Sequence, residues 1–364
     1  MKRNLIALGA VCSLSFAAAA AIAGKPPPPP PPPTSSAKIY FDQQATTGNT
    51  WYSMDLNGSY KTALPATPGL GWVGMSRVPY AGSFVTVQVA PNGLFSYPDG
   101  EAGQDLRVQS VNSTSWVTLI SDPTMQFTGE TTATFLPGQP AQLSFTAIEW
   151  APGATWGGGV GSPPPIAGFF VVTLAFAGDG SIAGVVPGSL QRVVDMATPY
   201  RNGTVLVMEC RHGFDWIGDS KIVWPSWPRD TGVTEMRVTA LATPMVHTVL
   251  DTLGFGRVVV NPAGTRITYF RSRVGLVETD LDGNGSFLWV PWEETVKGRQ
   301  GNYNVTQYVP SAPQYIDADT LAYGYWISYP DRSFVQDAYK VTRGGVKTNL
   351  TSDLSTYVDL GFVR

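Results

Sequence analysis

Charged residues are scarce in this chain of 364 residues, because Asp, Glu, Lys and Arg together make up only 14% of it. The usual share is about 25%, so the composition argues against coiled coils and charged helical bundles. The formal net charge is −3, and the basic residues form no cluster. We therefore expect neither a nucleic acid nor an anionic lipid surface as the partner.

Cysteine and histidine are nearly absent, with two of each. Cys12 falls in an N-terminal segment that we interpret below as a signal peptide, so Cys210 would be alone in the mature chain and could form no internal disulfide. Cys210 and His212 are spaced as two ligands on one face of a strand, but only His247 could join them. Two histidines exclude a three-His zinc enzyme. We interpret Cys210 and His212 as packing residues.

Motifs of common catalytic classes are also missing. The sequence has no G-x-S-x-G elbow, no P-loop and no dinucleotide-binding glycine motif. It therefore predicts neither a serine hydrolase of that class nor a nucleotide cofactor. Two pairs of neighbouring acids, Glu293 with Glu294 and Asp317 with Asp319, have nothing in the sequence that would place them across a substrate. We expect them to be solvated loop residues.

One long apolar run is present, and it lies at the N-terminus. Lys2 and Arg3 precede an apolar run over residues 5–21, and Ala21-Ile22-Ala23 has the pattern of a cleavage site. This predicts a secretory signal peptide over residues 1–23 and export to the periplasm or the extracellular space. The alternative is a permanent membrane anchor, which the shortness of the run disfavours. No later run is long enough for another span.

Proline is concentrated just after this segment. Eight of the 30 prolines follow one another at residues 26–33. Such a tract favours a polyproline II rod of roughly 25 Å, at about 3.1 Å per residue. We interpret residues 24–37 as a stiff linker, with a ligand for a proline-recognising partner as the alternative. The folded domain is then predicted over residues 38–364.

Glycine and aromatic residues are abundant, with 39 Gly, 11 Trp, 15 Tyr and 16 Phe. Glycine and proline are unfavourable inside helices, while the aromatic residues supply enough apolar surface to argue against disorder. Short runs rich in β-branched and aromatic residues, such as 84–89, 169–176, 257–260 and 266–270, are separated by turn residues. These runs predict an all-β sandwich, barrel or propeller. The length favours a six-bladed β-propeller of four-stranded antiparallel blades, with five to seven blades left open.

A repeated unit supports the propeller. The unit is clearest over residues 261–288, where Pro262-Ala263-Gly264 forms a first turn and Asp280-Leu281-Asp282-Gly283 a hairpin turn. Similar units lie at 38–64 and 312–351. The equivalent strand positions of the six units are Ile39, Phe84, Leu143, Ile222, Ile267 and Leu321. The gap between the third and fourth positions is the longest, which predicts a long insertion there or a misplaced unit.

This unit resembles the β-propeller repeats of the TolB-like (WD40-like) family, whose pattern runs roughly SPDGxxIaF, then a strand, then a dldG turn. The resemblance implies a propeller from residue 38 onward. TolB itself carries a further α/β domain before its propeller, whereas here the proline tract leads directly into the first unit. Membership in the Tol system is therefore not implied.

The C-terminal residues 355–364 form an apolar strand pattern with nothing after it. A propeller commonly closes by completing one blade with strands from both ends of the chain, which removes an exposed edge. We predict that this strand pairs with residues 38–42 in the first blade.

A calcium loop is one candidate site. Asp280, Asp282, Asn284 and Gly285 match the opening D-x-D-x-N-G of such a loop, whose oxygen ligands converge on one cation. The full loop would need Glu at position 291, which is Pro291. The same residues make an Asp-Gly hairpin turn. We expect a turn, with a Ca²⁺ site as the alternative.

Two Trp-Pro segments are the candidate ligand surface. Trp224, Trp227 and Arg229 fall in a predicted loop after the strand at Ile222, and Trp292 follows a proline in a second segment. Exposed tryptophan is favoured in glycan and protein recognition, because it offers a large contact area at low entropic cost. The alternative is that these side chains fold inward and pack between blades.

These patterns favour a non-catalytic, monomeric binding or scaffold protein, which presents a loop face or a central funnel to a protein or a cell-envelope component. The alternative is a carbohydrate-binding or carbohydrate-active protein, a hydrolase or lyase, whose tryptophan loops hold the sugar. The fold alone does not decide between them, because propellers host many functions.

Overall fold

The computed structural model describes residues 37–45, 48–65, 71–77, 84–127, 131–137, 139–152, 165–195, 213–226, 235–244, 246–298, 301–306, 313–328, 334–351 and 357–363. These residues form 28 β-strands and no α-helix. They also include no helix of the length and apolar character that crossing a membrane requires. The predicted signal peptide and nearly all of the predicted linker lie outside them, and the first strand begins at Lys38.

The strands form a six-bladed β-propeller, as the repeats predict. The first blade contains β1 (Lys38–Ala45), β2 (Gly48–Asp55) and β3 (Thr62–Ala63). The second contains β4 (Gly71–Arg77), β5 (Phe84–Ser96), β6 (Ala102–Ser110) and β7 (Trp116–Ile120). The third contains β8 (Met125–Gln126), β9 (Ala133–Leu136), β10 (Gln139–Glu149), β11 (Ile166–Phe176), β12 (Ile182–Val185) and β13 (Gln191–Asp195).

The second half of the ring is more regular. The fourth blade contains β14 (Asp215–Ile217), β15 (Lys221–Ser226), β16 (Glu235–Ala240) and β17 (His247–Asp251). The fifth contains β18 (Gly254–Val260), β19 (Arg266–Arg271), β20 (Gly275–Asp280) and β21 (Phe287–Pro291). A separate hairpin of β22 (Glu293–Gly298) and β23 (Gly301–Thr306) follows it. The sixth blade contains β24 (Gln314–Asp317), β25 (Thr320–Ser328), β26 (Phe334–Thr342) and β27 (Lys347–Asn349).

The last strand, β28 (Tyr357–Val363), closes the ring. It pairs antiparallel with β1, from Ile39 opposite Val363 to Gln44 opposite Tyr357. The first blade therefore takes its innermost strand from the C-terminal part of the chain, which confirms the predicted pairing. Gly361 permits this closure, because a Cβ atom there would lie 2.5 Å from the ring of Trp51.

The six predicted repeat positions fall on equivalent strands. Each lies in the second strand of its blade, counted from the axis, and these strands are β1, β5, β10, β15, β19 and β25. The long gap before the fourth position reflects a larger third blade. Its two middle strands, β10 and β11, have 11 residues each. The innermost position is shared by β8 and β9, which both pair with β10, and the outermost position is shared by β12 and β13, which both pair with β11. Among the described residues of this gap, the strands belong to the third and fourth blades and to no further one.

Some inner strands are buried on both faces, which is consistent with the low charge of the sequence. On β5, Val87 and Val89 pack with Phe145 of the third blade in one apolar cluster. On the opposite face of the same strand, Thr86 and Gln88 are buried too. A strand that is covered on both sides has no place for solvated charges.

Candidate functional site

A cavity of about 220 Å³ lies where the six blades meet. Every blade contributes to its wall through its innermost strand or the residues next to that strand. The lining residues are Phe362 of the first blade, Val73 of the second, Thr132, Ala133 and Thr134 of the third, Gly213, Phe214 and Asp215 of the fourth, Arg257, Val258, Val259, Val260 and Pro262 of the fifth, and Gln314 and Tyr315 of the sixth. We call it the central cavity.

The inner strands approach one another closely around this cavity. A Cβ atom on Gly74 of β4 would overlap the backbone carbonyl of Ala133 on β9. Only glycine lets the second and third blades meet at this distance. The size of the cavity is therefore set by backbone contacts as well as by side chains.

Asp215 links the fourth blade to the fifth at the cavity wall. Its Oδ2 atom accepts a hydrogen bond from the backbone N–H of Val260 at 2.8 Å, and its Oδ1 atom accepts one from the N–H of Trp216 at 2.8 Å. Both carboxylate oxygens therefore have backbone donors. The side chain ties two blades together and places one negative charge in the wall.

Arg257 is the cationic residue of the wall. Gly213 makes room for its stem, because a Cβ atom on Gly213 would lie 3.2 Å from Arg257 Cγ and 3.2 Å from Thr132 Oγ1. Gly213 also has a φ of +79°, which side chains other than glycine rarely adopt. This one glycine thus brings a guanidinium stem and a hydroxyl from different blades to the same spot.

Tyr315 is held rigidly in the wall by the fifth blade. Its hydroxyl lies 2.6 Å from Thr268 Oγ1 and donates to Glu278 Oε2 at 2.7 Å. Glu278 is fully buried, and it pairs with Arg266 at 3.0 Å and Arg343 at 2.9 Å. Burial, foremost, raises the pKa of Tyr315 far above its usual value. The hydroxyl therefore stays protonated and fixed at neutral pH.

The cavity wall combines recognition groups with apolar surface. A guanidinium, a carboxylate, two threonine hydroxyls and the Gln314 amide share it with valine, proline and phenylalanine side chains. Polar groups that converge in a concavity, next to apolar side chains, are typical of a ligand site. Among the described lining residues, the ionisable side chains are Asp215, Arg257 and Tyr315.

Trp224 is a core residue, and its predicted place in a loop is wrong. It lies in β15, and 1% of its surface is exposed. Its indole Nε1 donates to Thr239 Oγ1 at 3.0 Å, and its ring meets Phe169 of the third blade at 5.7 Å. Trp224 therefore packs between blades, as the alternative interpretation expected. Trp227 and Arg229 lie outside the described residues.

Trp292 lies elsewhere, at the outer end of the fifth blade. It follows β21, is partly buried, and its ring centroid is 5.1 Å from that of Phe270. The structure thus does not bring Trp224 and Trp292 to one surface. Neither of them lines the central cavity.

The predicted calcium segment forms the expected hairpin turn. Asp280 Oδ1 accepts backbone N–H groups of Asp282 at 3.0 Å and of Asn284 at 2.7 Å. Gly283 adopts a φ of +81°, and a Cβ atom there would lie 2.8 Å from the carbonyl oxygen of Leu250. Among the described residues, no three His, Cys, Asp or Glu side chains are grouped as metal ligands. A Ca²⁺ site at this turn stays a prediction.

The remaining predicted candidates are dispersed. Cys210 and His212 lie outside the described residues. Glu293 is exposed at the start of β22, and Asp317 and Asp319 are both exposed at a turn where Asp317 Oδ1 accepts the N–H of Asp319 at 2.8 Å. His247 contacts Thr239, with Nδ1 at 2.8 Å from Oγ1, at the rim of the fourth blade.

Sequence reasoning missed the lining residues of the central cavity. Arg257, Asp215 and Gln314 carry no motif, and they are separated along the chain by whole blades. One signal was available, because each lies in the strand just before a predicted repeat position. A propeller model places that strand next to the axis.

Comparisons with known proteins found matches of low identity among solved structures only. No protein-family model matches the chain, and no curated protein matches it. Among solved structures, the chain is similar to a proposed 6-phosphogluconolactonase from Bacteroides uniformis (9% identity, TM-score 0.39, covering 91% of this chain and 99% of the other). It is also similar to an oligogalacturonate lyase from Vibrio parahaemolyticus (8%, 0.41, 86% and 85%). A third is the propeller domain of the Trilobed protease from Pyrococcus furiosus (10%, 0.36, 83% and 74%). By its own strand pairings, the chain is a six-bladed β-propeller.

Proposed function

We propose that this chain is a non-catalytic binding protein whose partner inserts a small group into the central cavity. The observation that carries the proposal is the convergence of all six blades on one cavity of about 220 Å³. Pockets for drug-sized ligands usually measure about 300–1,000 Å³, so this cavity suits a single side chain or a small molecule.

The chemistry of the wall favours binding over catalysis. General acid–base work needs a group whose pKa lies near the working pH. Tyr315 is held protonated by burial, and Asp215 already accepts two backbone N–H groups. The hydroxyls, the amide and the guanidinium are groups that fix a bound partner.

The sequence supplies the rest of the proposal. The predicted signal peptide over residues 1–23 supports export, and the predicted stiff linker over residues 24–37 would hold the propeller at a distance from its attachment point. The partner would then be a protein or another component of the cell envelope, bound by a monomer. The repeat over residues 261–288 supports a TolB-like relationship.

A matched pair of variants tests the use of the cavity. Thr134→Trp places an indole in the wall, while Thr118→Trp adds the same side chain on an exposed position of β7. Wild type and Thr118→Trp should capture the same envelope component from an extract, as identified and quantified by mass spectrometry. In a second step, the binding of each variant to this purified component is measured. Thr134→Trp should lose it while keeping the wild-type circular dichroism spectrum.

The opposite outcomes are equally clear. Capture that survives Thr134→Trp would move the binding surface away from the cavity. A glycan array tests the carbohydrate alternative, for which Trp292 is the remaining described candidate. Binding to neither an envelope component nor a glycan would refute both functions.

A further inference from the structure

Resting on this proposed function, we infer that the group entering the central cavity is a monocarboxylate on a compact apolar body, and that Arg257 binds the carboxylate. A C-terminal aliphatic residue of a partner chain has this chemistry, as does a free short-chain carboxylate.

The first step concerns the donor. Arg257 lines the cavity, and its stem lies against Gly213 beside the hydroxyl of Thr132. A guanidinium has five N–H donors in a planar fork that matches the two oxygens of a carboxylate. It can therefore bind a ligand while it keeps an intramolecular contact. The Thr132 hydroxyl and the Gln314 amide offer further hydrogen bonds to the same guest.

The second step concerns the charge of the guest. Asp215 places a negative charge in the same wall, so the described lining residues carry one cation and one anion. A monoanion paired with Arg257 leaves a single net negative charge in the cavity. A phosphate dianion would leave two, and like charges in a partly buried site repel strongly. The wall therefore favours a carboxylate over a phosphate monoester.

The third step concerns the body of the guest. Val73, Phe214, Val258 and Phe362 give the wall an apolar part. A volume of about 220 Å³ corresponds to roughly seven water molecules at about 30 Å³ each. A leucine-sized residue with a free carboxylate fills such a space, buries its aliphatic carbons and leaves its charge for the guanidinium.

Two small probes test this inference directly. N-Acetylleucine carries the carboxylate, and N-acetylleucinamide has the same body without the charge. Titration of the wild-type protein, followed by ligand-observed NMR, should give a Kd at least tenfold lower for the acid than for the amide, because hydrogen bonds to charged groups are the stronger class. Hexanoate tests a free carboxylate as the source, and an acetylated peptide ending in leucine tests a chain terminus. Butyl phosphate should bind more weakly than either.

Three variants assign the effect to Arg257. Arg257→Gln should remove the preference for the acid, while Arg257→Lys, which keeps the charge without the fork, should retain a reduced preference. Arg273→Gln is the matched control, because Arg273 is exposed on a turn outside the cavity. If Arg257→Gln does not fold, the acid–amide comparison in wild type and Arg257→Lys still decides the question.

The outcomes separate this inference from the proposed function. Equal binding of acid and amide, an unchanged preference in Arg257→Gln, or tighter binding of butyl phosphate would overturn it. Partner capture that is lost in Thr134→Trp but kept in Arg257→Gln would overturn it while leaving the proposed function standing. Capture that neither variant affects would refute both.

Discussion

The buried carboxylate of Glu278 allows a quantitative prediction. It accepts from Tyr315 at 2.7 Å, from Arg266 at 3.0 Å and from Arg343 at 2.9 Å. Glu278→Gln keeps the shape and removes the charge. Charge-assisted hydrogen bonds contribute about 1 kcal/mol more than neutral ones, so three of them give about 3 kcal/mol. Because the side chains of Arg266 and Arg343 are 38% and 34% exposed, water replaces part of the interaction that they lose with the carboxylate. We expect a decrease of about 2 kcal/mol in the free energy of unfolding.

Asp319 provides an internal control for this prediction. It pairs with the same Arg343, at 3.3 Å, but its own side chain is 77% exposed. Asp319→Asn should therefore cost about 0.5 kcal/mol or less, which is typical of surface ion pairs. Urea unfolding of both variants and wild type, followed by tryptophan fluorescence at constant pH and salt, measures the difference.

The result that would refute the reasoning is an equal cost for the two substitutions. It would mean that burial of the acid does not decide the strength of this network. An unchanged stability of Glu278→Gln would equally contradict it, because water can reach the two arginine side chains but not the buried side chain at position 278.

Three further predictions concern single positions. Burial lowers the pKa of His247 in the native protein. The unfolded chain therefore binds a proton more readily than the native one, and the free energy of unfolding should fall as the pH drops from about 7 through 6. Urea midpoints at both ends of that range should differ less in His247→Gln than in wild type. Gly361→Ala should cost about 1–3 kcal/mol by overpacking, because the new methyl group would meet Trp51, and equal thermal stability of this variant and wild type would contradict it. Trp224→Phe should cost about 1–3 kcal/mol, because it removes the buried hydrogen bond to Thr239 and replaces a fully packed indole with a smaller ring. The heat-denaturation midpoint measures this loss.

The fold could be predicted from the sequence because its signals are local and repeated. The strand at Ile267 and the turn at Gly283 recur in recognisable form in the other blades. The apolar C-terminal residues were predicted to pair with the first blade, because a propeller closes by completing one blade with strands from both ends of the chain. Each hairpin turn depends on a few neighbouring residues, so it can be predicted from a short segment of the sequence.

The exceptions have physical causes. Pro225 suggested that Trp224 stands in a loop, because proline cannot donate to a sheet. In the structure, Pro225 belongs to β15 and lies opposite Met236 of β16. On the other side of β15, the pairing with β14 ends at Val223 among the described residues. The edge of β15 that faces β14 therefore needs no backbone N–H donor at Pro225. Packing of Trp224 between the blades keeps this segment in the strand.

The central cavity could not be predicted because no local pattern encodes it. Arg257 and Thr132 meet only after the ring has closed, and their meeting depends on the absence of a side chain at Gly213. Glu278 needs partners as well, because its carboxylate is buried. The identity of those partners depends on which blades are neighbours.

The pairing of β1 with β28 has a consequence for how this protein is made. Ile39 and Val363 lie opposite each other although almost the whole chain separates them. Closing so long a loop costs about 2 kcal/mol more than closing one blade of about 40 residues, by the usual logarithmic dependence on length. Until the final strand arrives, β1 offers an unpaired edge to any other strand nearby. Chains that lose their last few residues during synthesis or handling should therefore associate with one another, and an added peptide with the sequence of β28 should suppress that association.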